Sequence, residues 1–207
     1  KGTIDTVILN GAECEPYITS DTRTMIDRAQ DVREGIELLI KHAPEVKHYY
    51  VGIEKNKPEA IRSMRDAFKD LPCVTVKALP ERYPQGAEKV LIYNTVRRVV
   101  PEGKLPSDVG VLVLNITSTA VLAKYCRTGM PLVRKSVTLD GSAVASPKNI
   151  KTQIGTSIRE IIEFGGGTKG EVGKILLGGP MMGSAVASID DPITKTTGAI
   201  TILSRED

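Results

Sequence analysis

The residues best equipped for chemistry lie in one short run, Asn10-Gly11-Ala12-Glu13-Cys14-Glu15-Pro16, directly after an apolar segment. An asparagine amide offers donors and an acceptor to a ring or a hydroxyl-bearing chain, and a carboxylate accepts hydrogen bonds from ribose hydroxyls. The alternative is a loop that begins a helix, with acids that favour the helix N-terminus. Residue types and spacing leave these two interpretations balanced. Asn10, Glu13 and Glu15 are the candidate binding residues.

A second candidate is the run Tyr83-Pro84-Gln85-Gly86-Ala87-Glu88-Lys89, a turn that leads into a predicted helix. Gly86 allows the backbone to approach a planar ligand closely or to take a positive φ. Tyr83 is able to stack or donate, and Glu88 falls in the first helical turn. Spacing alone favours the simpler alternative, a Pro-Gly turn followed by an N-terminal helix acid.

Other motifs carry less information. The run Gly178-Gly179-Pro180-Met181-Met182-Gly183 is either a loop of close approach or a simple turn, and spacing does not decide between them. A phosphate-binding P-loop near 167–174 is rejected, because Thr168 and Ile175 occupy the required glycine and Ser/Thr positions. The two histidines, His42 and His48, lack partners at an informative spacing, so a catalytic triad is not expected.

Composition excludes several classes of protein. The 207 residues carry 28 basic and 25 acidic side chains and no tryptophan, which argues against a nucleic-acid-binding surface built on aromatic rings. The three cysteines are far apart and fit reduced thiols rather than a disulfide framework or a metal site. No apolar stretch is long enough for a transmembrane helix. The start of the sequence is unlike a signal peptide, and its abruptness indicates a piece of a longer protein.

Strand-like and helix-like segments alternate through the first two thirds of the sequence. One helix is expected after Ser20-Asp21, with apolar residues at helical spacing from Met25 to Ile40. Such alternation builds a parallel sheet flanked by helices, whose ligands bind beyond the carboxyl ends of the strands. Asn10 and Asn115 both come at strand ends, so both are expected at that edge. The predicted strands in this part are 6–10, 48–53, 74–76 and 109–114.

The pattern changes near Gly129. A strand over 133–139, a hairpin signal at Asp140-Gly141 and extended chain to Ile154 precede a capping box that opens a helix over 158–164. Two more strands follow, over 174–177 and 199–203. Strands around a single helix indicate a small α+β unit of β-grasp type. We therefore predict an α/β domain over 1–128 and a β-grasp domain over 129–207.

Taken in order, the motifs at 10–17, 83–89 and 178–183 resemble those of the C subunit of Rnf electron-transport complexes. That subunit is itself similar to the NADH-oxidising flavoprotein subunit of respiratory complex I. The resemblance spans essentially the whole chain, and the stretch from Pro131 to Gly167 is similar to a soluble-ligand-binding β-grasp (SLBB) domain. It implies a complex I flavoprotein-like FMN-binding domain followed by an SLBB domain.

The resemblance also implies a role for each candidate residue. Asn10 and Glu13 are expected beside the flavin, with Glu15 nearer the nicotinamide nucleotide. Tyr83 and Gly86 are expected behind the isoalloxazine ring, and Asn115 against the flavin. Glu88 is expected to face NADH. In such a site the protein positions hydride donor and flavin, and the flavin does the chemistry.

Two of the family's parts have no counterpart here. A glycine-rich phosphate loop is expected before the first strand, and a cysteine-rich segment for 4Fe-4S clusters after the β-grasp unit. The chain alone is therefore not expected to deliver electrons. The implied parent is a cytoplasmic, peripheral subunit of a membrane electron-transport complex that couples NADH and ferredoxin. Two alternatives stay open: a soluble relative that donates electrons to proline reductase or cobalamin, and a flavin-free docking module for a protein or cobalamin.

Overall fold

Apolar, β-branched runs form a four-stranded parallel sheet in the computed structural model, which describes residues 3–206. The strand order is β3-β2-β1-β4. Because all pairings are parallel, the carboxyl ends of the four strands lie at one edge, called here the carboxyl edge. The strands are β1 (Thr6–Gly11), β2 (His48–Glu54), β3 (Val74–Leu79) and β4 (Val111–Asn115).

Within residues 3–206, five α-helices and a 3-10 helix at Pro106–Val109 connect or flank these strands, and both faces of the sheet are covered. Alternate residues of β1 enter different cores, with Val7 and Leu9 in one and Ile8 in the other. This is the α/β architecture expected from the sequence. The helices are α1 (Ser20–Asp27), α2 (Ala29–His42), α3 (Pro58–Phe68), α4 (Glu88–Val96) and α5 (Ile116–Thr128).

The single helix expected after Ser20 is two helices, α1 and α2. Arg28 between them has φ −129° and ψ 31°, outside the helical region. Its guanidinium donates to the Asp31 carboxylate at 2.8 Å and to the Ala120 carbonyl at 3.2 Å. Within α2, a Cβ on Gly35 would lie 2.5 Å from the Thr119 carbonyl oxygen, so α2 lies very close to α5. Apolar residues recur at helical spacing on both sides of Arg28, so the sequence pattern does not show that the helix is interrupted there.

A second, mixed sheet has the strand order β6-β5-β9-β7-β8. Its helix packs Ile158 and Ile161 against Leu139, Ile150 and Ile200 of the strands. This agrees with the α+β unit predicted for the C-terminal part. Its elements are β5 (Arg134–Asp140), β6 (Lys148–Gln153), α6 (Ile158–Phe164), β7 (Val172–Leu177), β8 (Ser184–Ala185) and β9 (Ala199–Ser204).

Local signals at both ends of β6 have different outcomes. Strands β5 and β6 do form an antiparallel hairpin, but residues 141–147 connect them rather than a two-residue turn. Gly141 has φ +124°, and a Cβ there would lie 2.2 Å from the Ile202 carbonyl oxygen. The position therefore requires glycine, because the backbone passes very close to β9. The predicted capping box is present: the Glu160 N–H donates to Ser157 Oγ at 3.2 Å, and the Ser157 N–H donates to the Glu160 carboxylate at 3.0 Å.

The chain divides into two compact units. Residues 3–14 and Asp21–Gly129 form the first, and Glu15–Ser20 joins residues 130–206 in the second. Within the second unit, the Thr19 N–H donates to Thr138 Oγ1 at 3.1 Å, and Asn149 Nδ2 donates to Thr19 Oγ1 at 2.8 Å. Among the described residues, every helix is too short or too polar to cross a membrane.

Candidate functional site

Two asparagines meet at the carboxyl edge of the first sheet. Asn10 and Asn115 are register partners on the neighbouring parallel strands β1 and β4. Asn10 is the next-to-last residue of β1, and Asn115 is the last residue of β4, directly before α5. Their adjacency follows from topology, because the two residues are 105 positions apart in sequence and strand β4 pairs with β1. Both asparagines were predicted at this edge, and the structure brings them together.

The loop of residues 83–87, called here the Tyr83 loop, is attached to the end of β1. Asn10 Nδ2 donates to the Gly86 carbonyl at 2.9 Å, and the Gly86 N–H donates to Cys14 Sγ at 3.4 Å. Both polar groups of Gly86 are therefore taken up by side chains from the first motif. A Cβ on Gly86 would lie 2.7 Å from the Ala12 carbonyl oxygen, which explains why glycine is needed. The close approach that the sequence predicted at Gly86 is made to protein backbone.

Polar side chains in the Tyr83 loop and at the end of β2 are buried. Gln85 is fully buried, and its Oε1 accepts from Asn94 Nδ2 at 3.0 Å. Glu54 at the end of β2 is 1 % exposed, and burial raises the pKa of its carboxyl while the Arg82 N–H opposes that rise. One polar atom on each of Gln85 and Glu54 has no partner among the described residues. The buried polar groups here are thus those of Gln85 and Glu54, whereas the side chains of Tyr83 and Glu88 are exposed.

Glu13 closes the start of helix α1. Its carboxylate accepts the backbone N–H groups of Asp21 at 2.9 Å and Thr22 at 3.1 Å, and the Thr22 hydroxyl at 2.7 Å. This satisfies donors that a helix start leaves unpaired. Burial, followed by the charge of Asp21, raises the pKa of the Glu13 carboxyl despite those hydrogen bonds. The structure therefore agrees with the interpretation that Glu13 favours the start of a helix. Its role beside a ligand stays a prediction.

Asp21 ties the start of α1 to the start of α5. Its carboxylate accepts Asn115 Nδ2 at 2.8 Å and the Thr117 hydroxyl at 2.5 Å. Asn115 also caps α5, since its Oδ1 accepts the Ser118 N–H at 3.0 Å. Asn10, Glu13, Asp21, Asn115 and Thr117 are called here the edge cluster.

Glu15 belongs to the second unit, unlike the other six predicted binding residues. Its carboxylate Oε2 accepts the backbone N–H groups of Met181 at 3.0 Å and Met182 at 3.2 Å. A Cβ on Gly179 would lie 2.2 Å from the same oxygen. The Gly178–Gly183 run, whose role spacing left open, is thus a turn that binds a carboxylate through backbone N–H groups.

Sequence reasoning did not single out several residues that build this region. Cys14 was noted only as one member of a polar run, and Asp21 only as a candidate helix cap. Gln85 and Glu54 were not selected, because burial of a polar side chain leaves no local pattern. Their one available signal is position, since Glu54 ends a predicted strand and Gln85 stands beside Gly86.

Comparison with known proteins gives two family matches. Residues 1–124 match the family model described as the Nuo51 FMN-binding domain, and residues 136–185 match the SLBB domain model.

The chain is also similar to curated proteins along almost its whole length. It is 44% identical to the C subunit of a proton-translocating ferredoxin:NAD(+) oxidoreductase complex from Clostridium ljungdahlii, over 99% of this chain and 44% of that protein. It is 40% identical to the C subunit of a Na(+)-translocating ferredoxin:NAD(+) oxidoreductase complex from Acetobacterium woodii, over 98% of this chain and 46% of that protein. The chain thus spans less than half the length of these relatives.

Solved structures share the fold at low sequence identity. A chain of an NAD+-reducing nickel–iron hydrogenase in the H2-reduced state aligns with a TM-score of 0.77 and 14% identity, over 98% of this chain and 41% of that one. The same kind of hydrogenase in the air-oxidized state gives a TM-score of 0.76 and 15% identity, over 98% and 40% of the respective chains.

Proposed function

Because the chain belongs to the Nuo51 FMN-binding domain family, we propose that it forms one wall of a flavin and NADH site in an Rnf-type electron-transfer subunit. The single observation that carries this proposal is the attachment of the Tyr83 loop to Asn10 at the carboxyl edge, next to Asn115. Two predicted binding motifs are thereby held together where parallel sheets bind ligands.

The edge cluster suits part of an FMN molecule. Amides, a hydroxyl and carboxylates pair well with ring carbonyl and N–H groups and with the hydroxyls of a ribityl chain. They do not suit a phosphate, since the carboxylates of Glu13 and Asp21 would repel it. We therefore assign the ring and ribityl chain to this edge and the phosphate to residues elsewhere in the subunit. Bound FMN supplies hydride acceptance and release of single electrons.

The proposed roles of this chain's residues are positional. Asn10 holds the Gly86 carbonyl and so fixes the Tyr83 loop at the carboxyl edge. Asn115 lies at the next strand end, where Asp21 and the Ser118 N–H hold its amide in place. Glu88 is exposed in the first turn of α4, where it is able to accept hydrogen bonds from NADH. Glu15 remains a proposed nucleotide contact, although its carboxylate is engaged by Met181 and Met182.

The names of the relatives support the proposed parent activity. Those proteins are subunits of ion-translocating ferredoxin:NAD(+) oxidoreductase complexes. On this proposal the full-length subunit carries 4Fe-4S clusters outside this chain, works with other subunits of a membrane complex, and exchanges electrons with ferredoxin. Its place is peripheral, on the cytoplasmic face of the membrane.

The test uses both this chain and the full-length subunit. FMN is titrated into each, and quenching of flavin fluorescence reports binding independently of turnover. Glu88→Gln in the full-length subunit should leave FMN bound and lower the rate of NADH oxidation about tenfold or more, by loss of hydrogen bonds to the nucleotide. Glu59→Gln is the matched control, since Glu59 is also an exposed acid in a first helical turn.

Two results would contradict the proposal. A full-length subunit that neither quenches flavin fluorescence nor is reduced by NADH would refute the flavin function. A subunit that binds FMN and is reduced normally with Glu88→Gln would keep the function and refute this role of Glu88.

A further inference from the structure

A groove in the second unit lies between strand β6 and helix α6. It has a volume of about 430 Å³, and its lining includes Ile150 and Lys151 of β6, Ile161 and Phe164 of α6, and Arg134 of β5. Ile150 and Ile161 are buried at 5% and 1% exposure, so they form an apolar floor. None of the flavin-site candidates lines it. The groove is therefore separate from the residues proposed to bind flavin and NADH.

One wall of the groove is a sheet edge. Strand β6 pairs with β5 from Arg134–Gln153 to Leu139–Lys148, and no described strand pairs with its other side. An edge strand presents backbone N–H and C=O groups that an extended chain is able to satisfy. The free backbone N–H and C=O groups along β6 thus suit an extended peptide that pairs with them better than a compact small molecule.

The other wall carries an exposed aromatic ring. Phe164, the last residue of α6, is 77% exposed, the highest exposure among the large apolar side chains of the described residues. A large ring exposed beside an apolar floor is typical of a binding hot spot, because covering it removes much apolar area from water. An apolar side chain from an added strand would contact Ile150, Ile161 and Phe164 together.

Charge defines the partner further. Arg134 and Lys151 line the groove, and within residues 3–206 neither forms an ion pair. The acid in the lining, Glu160, is engaged instead by Ser157, whose hydroxyl and, to a smaller extent, backbone N–H hold the pKa of the Glu160 carboxyl below its ordinary value. The cations are therefore available to an incoming carboxylate.

A second copy of this chain suits the edge less well than an acidic strand does. Antiparallel pairing of β6 with another β6 would place the Lys151 side chains of both strands on the same face of the joined sheet, and like charges close together across strands are destabilising. An acidic strand meets no such repulsion.

We propose that the groove between β6 and α6, called here the β6 groove, binds an extended acidic segment of a partner protein. The segment pairs with β6, places an apolar side chain against Ile150, Ile161 and Phe164, and offers carboxylates to Arg134 and Lys151. This interaction surface is independent of flavin binding.

The probe is a synthetic decapeptide in which glutamate alternates with valine, compared with the same peptide carrying lysine for glutamate. Each is titrated into the isotope-labelled chain while backbone amide resonances are followed. The acidic peptide should shift the resonances of 148–153 and 158–164 with a Kd of roughly 1 mM or tighter, and the lysine peptide should not. The amides of β6 should exchange more slowly with solvent in the presence of the acidic peptide.

Two variants and two controls sharpen the result. Phe164→Ala should weaken binding about tenfold, and Lys151→Glu about fivefold or more. Exposed residues outside the groove serve as controls, Tyr125→Ala for the ring and Lys174→Glu for the charge, and both should bind as the unaltered chain does.

Several outcomes would overturn the proposal. These are no localised shift with the acidic peptide at millimolar concentration, equal binding of both peptides, or unchanged affinity in the Phe164→Ala and Lys151→Glu variants. Shifts of the same resonances by cobalamin or another small molecule, with none from the acidic peptide, would replace it with a small-ligand site.

Discussion

The side-chain amide of Asn10 donates to the Gly86 carbonyl at 2.9 Å, across a separation of 76 residues. This bond joins the end of β1 to the loop that starts α4. Because the Gly86 N–H is also held, by Cys14, the loop has a fixed position before any ligand arrives. Preorganisation of this kind reduces the ordering cost of binding.

Asn10→Ala should remove this attachment. The Gly86 carbonyl would lose its partner, and the free energy of unfolding should fall by about 1 to 2 kcal/mol. FMN retention by the full-length subunit should weaken as well. Urea denaturation followed by circular dichroism measures the first effect and flavin fluorescence the second. Asn56→Ala, at an exposed turn of the same unit, is the control; equal stability of the two variants would contradict the expected role of Asn10.

Gly86→Ala should destabilise the first unit by steric conflict. The added Cβ would lie 2.7 Å from the Ala12 carbonyl oxygen, closer than the backbone tolerates. We expect a loss of about 1 to 3 kcal/mol in the free energy of unfolding. Gly198→Ala is the matched control, since the nearest atom to its Cβ would be 3.8 Å away. Thermal melting of both variants checks the prediction, which fails if their midpoints agree.

Glu54→Gln should change how stability depends on pH. Burial raises the pKa of the Glu54 carboxyl, so the folded chain holds this proton to higher pH than the unfolded chain. Its contribution to stability is full below the ordinary pKa of a glutamate and is lost as the pH rises through the raised pKa. A glutamine side chain does not ionise, so the Glu54→Gln variant does not lose stability over this pH range for that reason.

Urea midpoints measured from acidic to mildly alkaline pH test this prediction. The Glu54→Gln variant should gain stability relative to the unaltered chain as the pH rises. A difference between the two that does not change with pH would mean that the Glu54 carboxyl is not perturbed.

Glu15→Ala should expose the backbone of the Gly178–Gly183 turn. The Met181 and Met182 N–H groups both donate to the Glu15 carboxylate, and hydrogen bonds to charged groups contribute about 1.5 to 3 kcal/mol each. Amide hydrogen exchange at these two residues should therefore accelerate by roughly tenfold or more. Glu163→Gln, which changes an exposed acid elsewhere in the second unit, should leave their exchange unchanged. Unchanged exchange in Glu15→Ala would show that the carboxylate does not hold the turn.

The sequence predicted the elements whose signals are local. Apolar runs located β1 and β2, and Pro58 located the start of α3. Ser157 and Glu160 located the start of α6, because a capping box depends on residues three positions apart. The break at Arg28 has no local sequence signal, and the Arg28 side chain bonds to the Ala120 carbonyl of α5, which is distant in sequence.

The candidate site was predictable only in part for the same reason. Strand ends placed Asn10 and Asn115 at one edge, since parallel pairing alone determines that. The hydrogen bonds from Asn10 and Cys14 to Gly86 depend on where a separate loop comes to rest. Nothing in the residue types distinguished Glu15, bound by Met181 and Met182, from Glu13, which caps α1.

The path of the backbone through residues 15–20 has a consequence for how the protein can be divided. Six residues of the second unit are encoded inside the first, so the polypeptide passes from one unit to the other after Cys14, after Ser20 and after Gly129. Cleavage at the last of these points would leave a C-terminal piece without Thr19, the partner of Thr138 and Asn149. An exchange of the second unit that preserves these contacts therefore has to include residues 15–20 as well as the C-terminal part.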